Sequence, residues 1–271
     1  ELTWRRYQRF AEGGAGLIWF EAVSIVREGR ANPRQLMITE ENLDDYKRMV
    51  AMIKEKSLQK YGYAPVVIMQ ATHSGRYSKP DGAAAPLVAY LNPIFEKNQP
   101  LDPSRIVTDD YLKSLEEKYA HAAHLAEEAG FDGVDIKACH RYLMCELLSA
   151  YLRPGQYGGS FENRTRLFRN AIAAAQGTVS SRTLVTSRMN IYDGFVYPYG
   201  WGVKPDGGIV PDLEEPIRLV RQMNEEWKIP LIDITLGNPY FNPHVNRPYE
   251  QGAFTPPENP FEGVQRACDC I

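Results

Sequence analysis

The sequence predicts an α/β protein built as a (β/α)8 barrel, of which five strands are represented. Apolar runs typical of buried strands alternate with amphipathic segments typical of helices. The strands start near positions 16, 65, 132, 183 and 230. This alternation predicts parallel strands joined by right-handed helical crossovers. A doubly wound sheet would give the same order of elements.

Polar residues that directly follow the predicted strands distinguish between the two folds. They are Glu21, Gln70, His73, Lys137, His140, Arg188 and Asn238. In a barrel, the carboxyl ends of all strands surround one site, whereas in a doubly wound sheet only the switch point does so. No G-x-G-x-x-G motif follows the first strand, which counts against a Rossmann unit. These observations favour the barrel.

The individual elements follow from local patterns. A helix over 3–12 ends at a glycine pair, which is typical of a helix carboxyl end. The continuous apolar run AGLIWFEAVSI predicts a strand that is buried on both faces. A helix over 41–62 precedes a second buried strand, APVVIMQ. Three further helix and strand pairs are predicted over 108–137, 161–191 and 212–237.

Two long segments between elements predict loops over the mouth of the barrel. The first loop covers 72–105 and the second loop covers 192–208. Connections of this length are usually functional or disordered. The second loop carries three tyrosines and a tryptophan, which suit a flat organic ligand, although simple packing against neighbours is an equally good interpretation.

Composition restricts the class of partner. The apolar share of 44% and the charged share of 24% are those of an ordinary globular protein. The net charge of −3 argues against nucleic acid or an anionic membrane as the main partner. No apolar run is long enough for a transmembrane helix. Four irregularly spaced cysteines argue against a disulfide framework, so we expect a reducing cytoplasm. We interpret Cys268 and Cys270 as two thiols on a helix in preference to metal ligands.

Four groups of motifs resemble the old yellow enzyme family of flavin oxidoreductases, including its dienoyl-CoA-reductase-like branch. They are GGAGLIWFEAVSI with EGR, QATHSGR, AGFDGVDIKACHRYLMCELLS with YGGSFENR, and TSRMNIYDG. They occur in the order of the family and span nearly the whole chain. The resemblance implies a barrel that binds FMN, takes hydride from NADH or NADPH, and reduces an electron-poor substrate such as an alkene conjugated to a carbonyl group.

The same resemblance implies three cofactor contacts. Ala22 and Gln70 would touch the isoalloxazine ring, and Arg188 would lie beside its N1 and C2 carbonyl. The chemistry of these side chains agrees with these roles. A guanidinium stabilises the negative charge that reduced flavin carries near N1. The amide of Gln70 offers both a donor and an acceptor to the mixed edge of the ring.

The resemblance also implies the residues that handle the substrate. Lys137 and His140 would bind its electron-withdrawing group, and Tyr142 would donate the proton. Two donors aimed at a developing oxyanion stabilise it, and a phenol can supply a proton. The family usually has histidine at the position of Lys137. Lysine is longer, cationic and donor-only, so it can hold an oxyanion, favour a carboxylate-bearing substrate, or point away.

The motifs begin at the second strand of the family and end after the sixth. We therefore expect one flavin-binding barrel domain over 1–271 that lacks the first strand and strands seven and eight, which usually hold the cofactor phosphate. An iron–sulfur cluster would lie outside this sequence. Two other hypotheses remain, namely flavin-dependent oxidation of an amine or alcohol and a non-catalytic barrel remnant. A small-molecule substrate and a homo-oligomer are expected.

The sequence also predicts the positions or roles of several residues outside the cofactor and substrate contacts. His121 and His124 are expected on a helix as surface or packing residues, and His244 is a candidate substrate contact or a packed residue. Arg76 is expected to hold the first loop. The remaining expectations are a helix cap at Ser160 and structural roles for Gly158, Gly159 and Arg164.

Overall fold

The computed structural model describes residues 1–252 and 255–271. Five parallel strands form one sheet in the order in which they occur along the chain. They are β1 (Leu17–Ser24), β2 (Val66–Thr72), β3 (Gly133–Ile136), β4 (Leu184–Tyr192) and β5 (Ile232–Leu236). A strand order equal to the chain order is that of a barrel, whereas a doubly wound sheet reverses direction at its switch point. The predicted partial barrel is therefore confirmed.

Helices connect these strands, as the apolar periodicity predicts. The long ones are α1 (Leu2–Glu12), α2 (Leu43–Tyr61), α4 (Asp109–Glu128), α7 (Arg166–Thr178), α8 (Glu214–Glu225) and α10 (Pro260–Cys270). The short ones are α3 (Pro93–Glu96), α5 (Leu143–Leu148), α6 (Phe161–Arg164) and α9 (Pro243–Asn246). The helix expected over 161–177 is interrupted at Thr165, whose hydroxyl donates to the carbonyl of Phe161 at 2.8 Å.

The core lies between the sheet and its helices, and aromatic packing fixes the first helix against the first strand. Tyr7 of α1 stacks on Phe20 of β1 with ring centroids 3.9 Å apart. Phe131, which precedes β3, meets Phe20 edge to face at 5.3 Å. Stacked and edge-to-face aromatic pairs each add about 0.5–1.5 kcal/mol beyond the burial of their surface.

The expectation that β1 is buried on both faces is wrong. Leu17 is 44% exposed, and Trp19, Glu21 and Ala22 are only partly buried. Leu17, Trp19 and Glu21 alternate along β1, so one face of the strand is left partly uncovered at this edge of the sheet, where β1 has a neighbouring strand on one side only. β2 has neighbours on both sides and is buried except at Val66.

The sequence also predicted no transmembrane helix, no disulfide framework and a helix that carries Cys268 and Cys270. Among the described residues, no helix is both long enough and apolar enough to cross a membrane. All four cysteines are free thiols. Cys268 and Cys270 both lie on α10, which confirms the helical interpretation of this pair.

Candidate active site

The carboxyl ends of the strands come together at one edge of the sheet. Asn238, which follows β5, donates its side-chain amide to the hydroxyl of Tyr77, which follows β2, at 2.8 Å. Tyr142, which follows β3, shares a hydrogen bond of 2.9 Å with the hydroxyl of Tyr240. Because these contacts join segments far apart in the chain, the residues after β2, β3 and β5 share one mouth.

Asp135 is the centre of a hydrogen-bond cluster that links four strands. Its buried Oδ2 accepts from Trp19 Nε1 at 2.8 Å and from Gln70 Nε2 at 2.6 Å. Its Oδ1 accepts from the backbone N–H of Arg188 at 2.6 Å. Burial raises the pKa of this carboxyl to about 6, and the three donors and the charge of Lys137 oppose the rise. Asp135 is therefore predominantly a carboxylate at pH 7.

This carboxylate determines how the amide of Gln70 is oriented. A carboxylate only accepts hydrogen bonds, so the group of Gln70 that faces it is the NH2 group. The amide oxygen then points elsewhere, and no described residue donates a hydrogen bond to it. Gln70 pairs in the sheet register with Ala22 of β1, so an acceptor and a small side chain lie next to each other.

Arg188 is paired with a carboxylate on the neighbouring strand. It lies opposite Asp233 in the register of β4 and β5, and its Nε is 3.0 Å from Asp233 Oδ2. The side chains are 31% and 36% exposed, so the guanidinium of Arg188 is partly accessible. Burial raises the pKa of Asp233, and Arg188 opposes that rise. The ion pair makes an arginine tolerable at this strand position.

The three residues expected to handle the substrate lie together after β3. The ammonium of Lys137 lies over the ring of Tyr142, 4.0 Å from its centroid, and burial lowers the pKa of Lys137. The rings of His140 and Tyr142 meet edge to face at 6.3 Å. Burial and neighbouring cations lower the pKa of His140 to about 3, so its imidazole is neutral at pH 7. Burial raises the pKa of Tyr142, so its phenol is protonated.

A strained turn presents these side chains. His140 and Arg141 both adopt left-handed backbone conformations, with φ of 63° and 57°. Such a conformation costs a non-glycine residue about 1–3 kcal/mol and persists only where surrounding contacts enforce it. Here the buried guanidinium of Arg141 donates to Asp193 Oδ2 at 2.7 Å, to Ser149 Oγ at 2.5 Å and to the Tyr90 hydroxyl at 2.9 Å. Because Tyr90 belongs to the first loop and Asp193 to the second, Arg141 joins both loops to the turn.

A second arginine anchors the first loop, as expected. Arg76 donates from Nε to Glu146 Oε1 at 2.8 Å and from Nη1 to Glu96 Oε1 at 2.7 Å. The other oxygen of Glu146 accepts from the backbone N–H of Ala89 at 2.8 Å. Glu146 lies on α5, directly after the strained turn, so these contacts attach the first loop to the helix whose N-cap is Tyr142.

His73 connects the segment after β2 to α4 through its two ring nitrogens. Its Nδ1 accepts from the backbone N–H of Gly75 at 3.0 Å, so Nε2 carries the proton and donates to the Tyr111 hydroxyl at 2.8 Å. Burial lowers the pKa of His73 to about 4, so it is neutral at pH 7. Gly75 has φ of 57°, and a Cβ there would lie 2.6 Å from the backbone nitrogen of Leu143, so only glycine fits.

The other histidines differ in position. His121 and His124 are solvent-accessible on α4, with side chains 47% and 48% exposed, as predicted. His244 lies on α9, and burial lowers its pKa, with Glu258 and Arg266 as the charged neighbours. Its expected contact with a substrate stays a prediction.

The turn before α6 has the predicted structural features. Ser160 Oγ accepts from the backbone N–H of Asn163 at 3.3 Å and so caps the helix. A Cβ at Gly158 would lie 2.1 Å from the carbonyl oxygen of Arg153, which explains the need for glycine there. Arg164 donates to the carbonyl of Leu148 at 2.5 Å, so its role is structural.

The inner surface of the sheet has the donor and acceptor set that an isoalloxazine ring requires. Gln70 offers an amide oxygen, Ala22 leaves room beside it, and Arg188 supplies an accessible guanidinium. Arg188 also connects to Gln70 through Asp135. A ring edge that alternates donors with acceptors and gains negative charge on reduction matches these groups. The residues present therefore fit FMN.

Sequence reasoning missed several residues that organise this site. Asp135 had a signal, because it is an acidic residue inside the otherwise apolar run GVDI. Arg141 stood within the polar cluster after β3, but nothing in the sequence pairs it with Asp193, 52 positions later. Tyr240 gave no signal, since its contact with Tyr142 depends on how the loops fold.

The fold and the site together define a partial parallel barrel with a flavin-compatible inner surface at its strand ends. Residues 3–199 match the NADH:flavin oxidoreductase / NADH oxidase family. The chain therefore belongs to this family, which confirms the resemblance predicted from the motifs. Membership of this family also supports the predicted cofactors, which are a flavin and a nicotinamide nucleotide.

Similar proteins agree with this membership. An NADPH dehydrogenase from Clostridium acetobutylicum is 29% identical over 228 residues, which are 83% of this chain and 60% of that protein. One from Geobacillus sp. is 29% identical over 236 residues, which are 85% of this chain and 61% of that protein. The chain thus spans about three fifths of the length of these relatives.

Solved structures share the fold. The old yellow enzyme homologue from Zymomonas mobilis aligns with a TM-score of 0.63 at 23% identity, covering 96% of this chain and 69% of that one. A complex of 2-naphthoyl-CoA reductase aligns with a TM-score of 0.72 at 20% identity, covering 87% of this chain and 35% of that one. At these identities the likeness establishes the barrel fold alone.

The raised pKa of Asp135 predicts how stability changes with pH. The carboxyl moves from an ordinary value of 3.8 to about 6, so the folded state holds its proton more tightly than the unfolded state. The stabilisation is complete below about pH 3.8 and is lost as pH rises through 6, by about 3 kcal/mol in total. The free energy of unfolding of wild type and of Asp135→Asn can be measured by chemical denaturation at several pH values. As pH rises through this range, the value for wild type should fall relative to the value for Asp135→Asn. A shift in favour of wild type would mean that the pKa is lowered.

The buried ion pair of Arg141 predicts a large loss of stability on substitution. Arg141→Met should lower the free energy of unfolding by about 3–5 kcal/mol, because Asp193 would remain buried without a counter-charge. Chemical denaturation measures this loss, and the double variant with Asp193→Asn should recover part of it. Additive effects of the two substitutions would show that the pair is not energetically coupled.

Proposed function

We propose that the intact protein is an FMN-dependent oxidoreductase that passes hydride from NADH or NADPH to a small electron-poor acceptor, such as an α,β-unsaturated carbonyl compound. One observation carries this proposal. A cation, a neutral imidazole and a protonated phenol, from Lys137, His140 and Tyr142, lie beside the flavin-compatible surface formed by Gln70 and Arg188. Family membership supports the same assignment.

The proposed roles follow from the charges of the side chains. Bound flavin supplies the two-electron hydride transfer between the nicotinamide nucleotide and the acceptor. Lys137 and His140 hold the electron-withdrawing oxygen of the acceptor, which gains negative charge as hydride arrives. Tyr142 gives a proton to the other alkene carbon. Ala22, Gln70 and Arg188 bind and orient the ring.

The hydrogen bond between Tyr142 and Tyr240 supports the proposed proton donor. Burial keeps the phenol of Tyr142 protonated at neutral pH, which is the state that a general acid requires. Tyr240 lies 2.9 Å away and is 57% exposed, so it connects the buried phenol to solvent. A donor that loses its proton in each turnover can regain one along this path.

The proposal extends to the organisation of the protein. Residues 1–271 belong to one flavin-binding (β/α)8 barrel domain. The intact protein works on a small molecule in the cytoplasm as a homo-oligomer. The four free thiols support a reducing compartment.

The role of Arg188 can be tested by potentiometry on the flavin-loaded protein. Arg188→Ala should lower the reduction potential by about 30–60 mV, because one charge-assisted contact to the reduced ring is lost. Asp233→Asn is the matched control and should raise the potential, since it removes the carboxylate that offsets Arg188. Unchanged potentials in both variants would remove the pair from the cofactor site.

The role of Tyr142 can be tested by stopped-flow measurement of the two half-reactions. Tyr142→Phe should leave reduction by NADPH intact and slow reoxidation by an enone about 10²–10⁴-fold, because only the second step needs the proton. Tyr240→Phe is the control, and it should slow reoxidation less because the donor itself remains. Equal slowing of both half-reactions in Tyr142→Phe would indicate a structural role.

A further inference from the structure

The ammonium of Lys137 is a buried cation without an anionic partner among the described residues. The residue is only 4% exposed, and none of the described carboxylates lies within ion-pair distance of its Nζ. Its recorded contact is the face of the Tyr142 ring, 4.0 Å from Nζ to the centroid. Burial without a counter-charge is unfavourable and lowers the pKa of this lysine.

The carboxylates closest to this part of the site are already engaged. Asp135 accepts three hydrogen bonds, from Trp19, Gln70 and the backbone of Arg188. Asp233 is paired with the guanidinium of Arg188. The charge of Asp135 still acts favourably on Lys137, but no described carboxylate forms an ion pair with its ammonium, and Arg188 adds a second cation nearby.

The imidazole of His140 also lies in a positively charged environment. The pKa of His140 is lowered by burial and then by three cations, Lys137, Arg188 and Arg247. His140 is consequently neutral and contributes a hydrogen bond but no charge. Two neutral donors are sufficient to hold the oxygen of a neutral acceptor, so the charge of Lys137 exceeds what an ordinary enone requires.

We propose that Lys137 makes this site selective for anionic acceptors, namely conjugated alkenes that carry a carboxylate paired with its ammonium. The inference rests on the proposed function and narrows its substrate class. A bound carboxylate would supply the counter-charge that the protein does not provide around Nζ. Because Nζ lies over the ring of Tyr142, the same pairing would hold the ligand beside the proposed proton donor.

Carboxylates can be part of the conjugated system or lie elsewhere on the acceptor, and the two cases are separable. In an enoate the carboxylate is itself the activating group, and hydride addition adds a second negative charge next to Lys137. In a keto or formyl acceptor with a distant carboxylate, His140 would hold the carbonyl oxygen while Lys137 binds the carboxylate. Both cases share the ammonium–carboxylate contact.

The test compares ligands that differ in charge but hardly in shape. Isothermal titration calorimetry of the intact flavin-loaded protein would measure binding of cinnamate and of its neutral isostere, cinnamamide. 4-Carboxycinnamaldehyde, with a distant carboxylate, would be compared with cinnamaldehyde. Wild type should bind at least one of the two anions about 10–100-fold more tightly than its neutral counterpart, as expected for one charge-assisted contact. The pair of ligands that shows this preference indicates whether the preferred carboxylate is conjugated with the alkene or distant from it.

Two variants assign the preference to Lys137. Lys137→Met keeps a chain of similar length and should abolish the preference, whereas Lys137→Arg keeps the charge and should retain it. Equal affinities for charged and neutral ligands in wild type, no binding of either anion, or an undiminished preference in Lys137→Met would each overturn the inference. The wild-type comparison alone is decisive if a variant does not fold.

The binding assay separates this inference from the proposed function. A protein that reduces neutral enones with NADH or NADPH but shows no anion preference retains the proposed function and loses the inference. A protein that binds cinnamate through Lys137 but takes no hydride from either nucleotide retains the binding site and loses the proposed function.

Discussion

The buried ion pair between Arg141 and Asp193 holds together the segments that surround the candidate site. Both side chains are fully buried, and the same guanidinium also binds Ser149 and Tyr90. One residue therefore fixes the turn after β3, the start of the loop after β4 and the loop after β2. Together with the backbone hydrogen bond from Tyr142 N–H to the Cys139 carbonyl, these contacts enforce the left-handed backbone at His140 and Arg141.

The buried charged groups of this sheet are not accounted for by fold stability alone. Replacing buried ionic groups by well-packed apolar residues is often neutral or stabilising in proteins. This sheet instead buries Asp135 and Lys137 two positions apart at the end of one strand. Since such groups are unfavourable unless satisfied, their presence at the shared mouth is better explained by a ligand-binding role than by stability.

The sequence was sufficient for the architecture because the relevant signals are local. The apolar runs located all five strands. Of the polar residues expected directly after them, His73, Lys137, His140 and Asn238 do follow strands, whereas Glu21, Gln70 and Arg188 lie within β1, β2 and β4. The burial of β1 was misjudged because hydrophobicity alone does not reveal that a strand lies at the edge of a sheet. The motifs identified Gln70, Lys137, His140, Tyr142 and Arg188 as candidates. Their hydrogen-bond partners could not be inferred, because pairs such as Arg141 with Asp193 depend on how distant loops pack.

The charges at the strand ends are distributed unevenly, and this distribution bears on substrate choice. Arg188 and Asp233 face each other across adjacent strands and offset each other. Asp135 accepts three hydrogen bonds, from Trp19, Gln70 and the backbone of Arg188, and its charge acts on the ammonium of Lys137 only from beyond ion-pair distance. Burial and adjacent cations make the neighbouring imidazole of His140 neutral by lowering its pKa. Lysine is harder to neutralise, because its ordinary pKa lies about 4 units higher than that of histidine. Under the proposed function, lysine at position 137 would therefore offer the acceptor a charge in addition to hydrogen bonds, and the preference for anionic acceptors is expected to depend on this one residue.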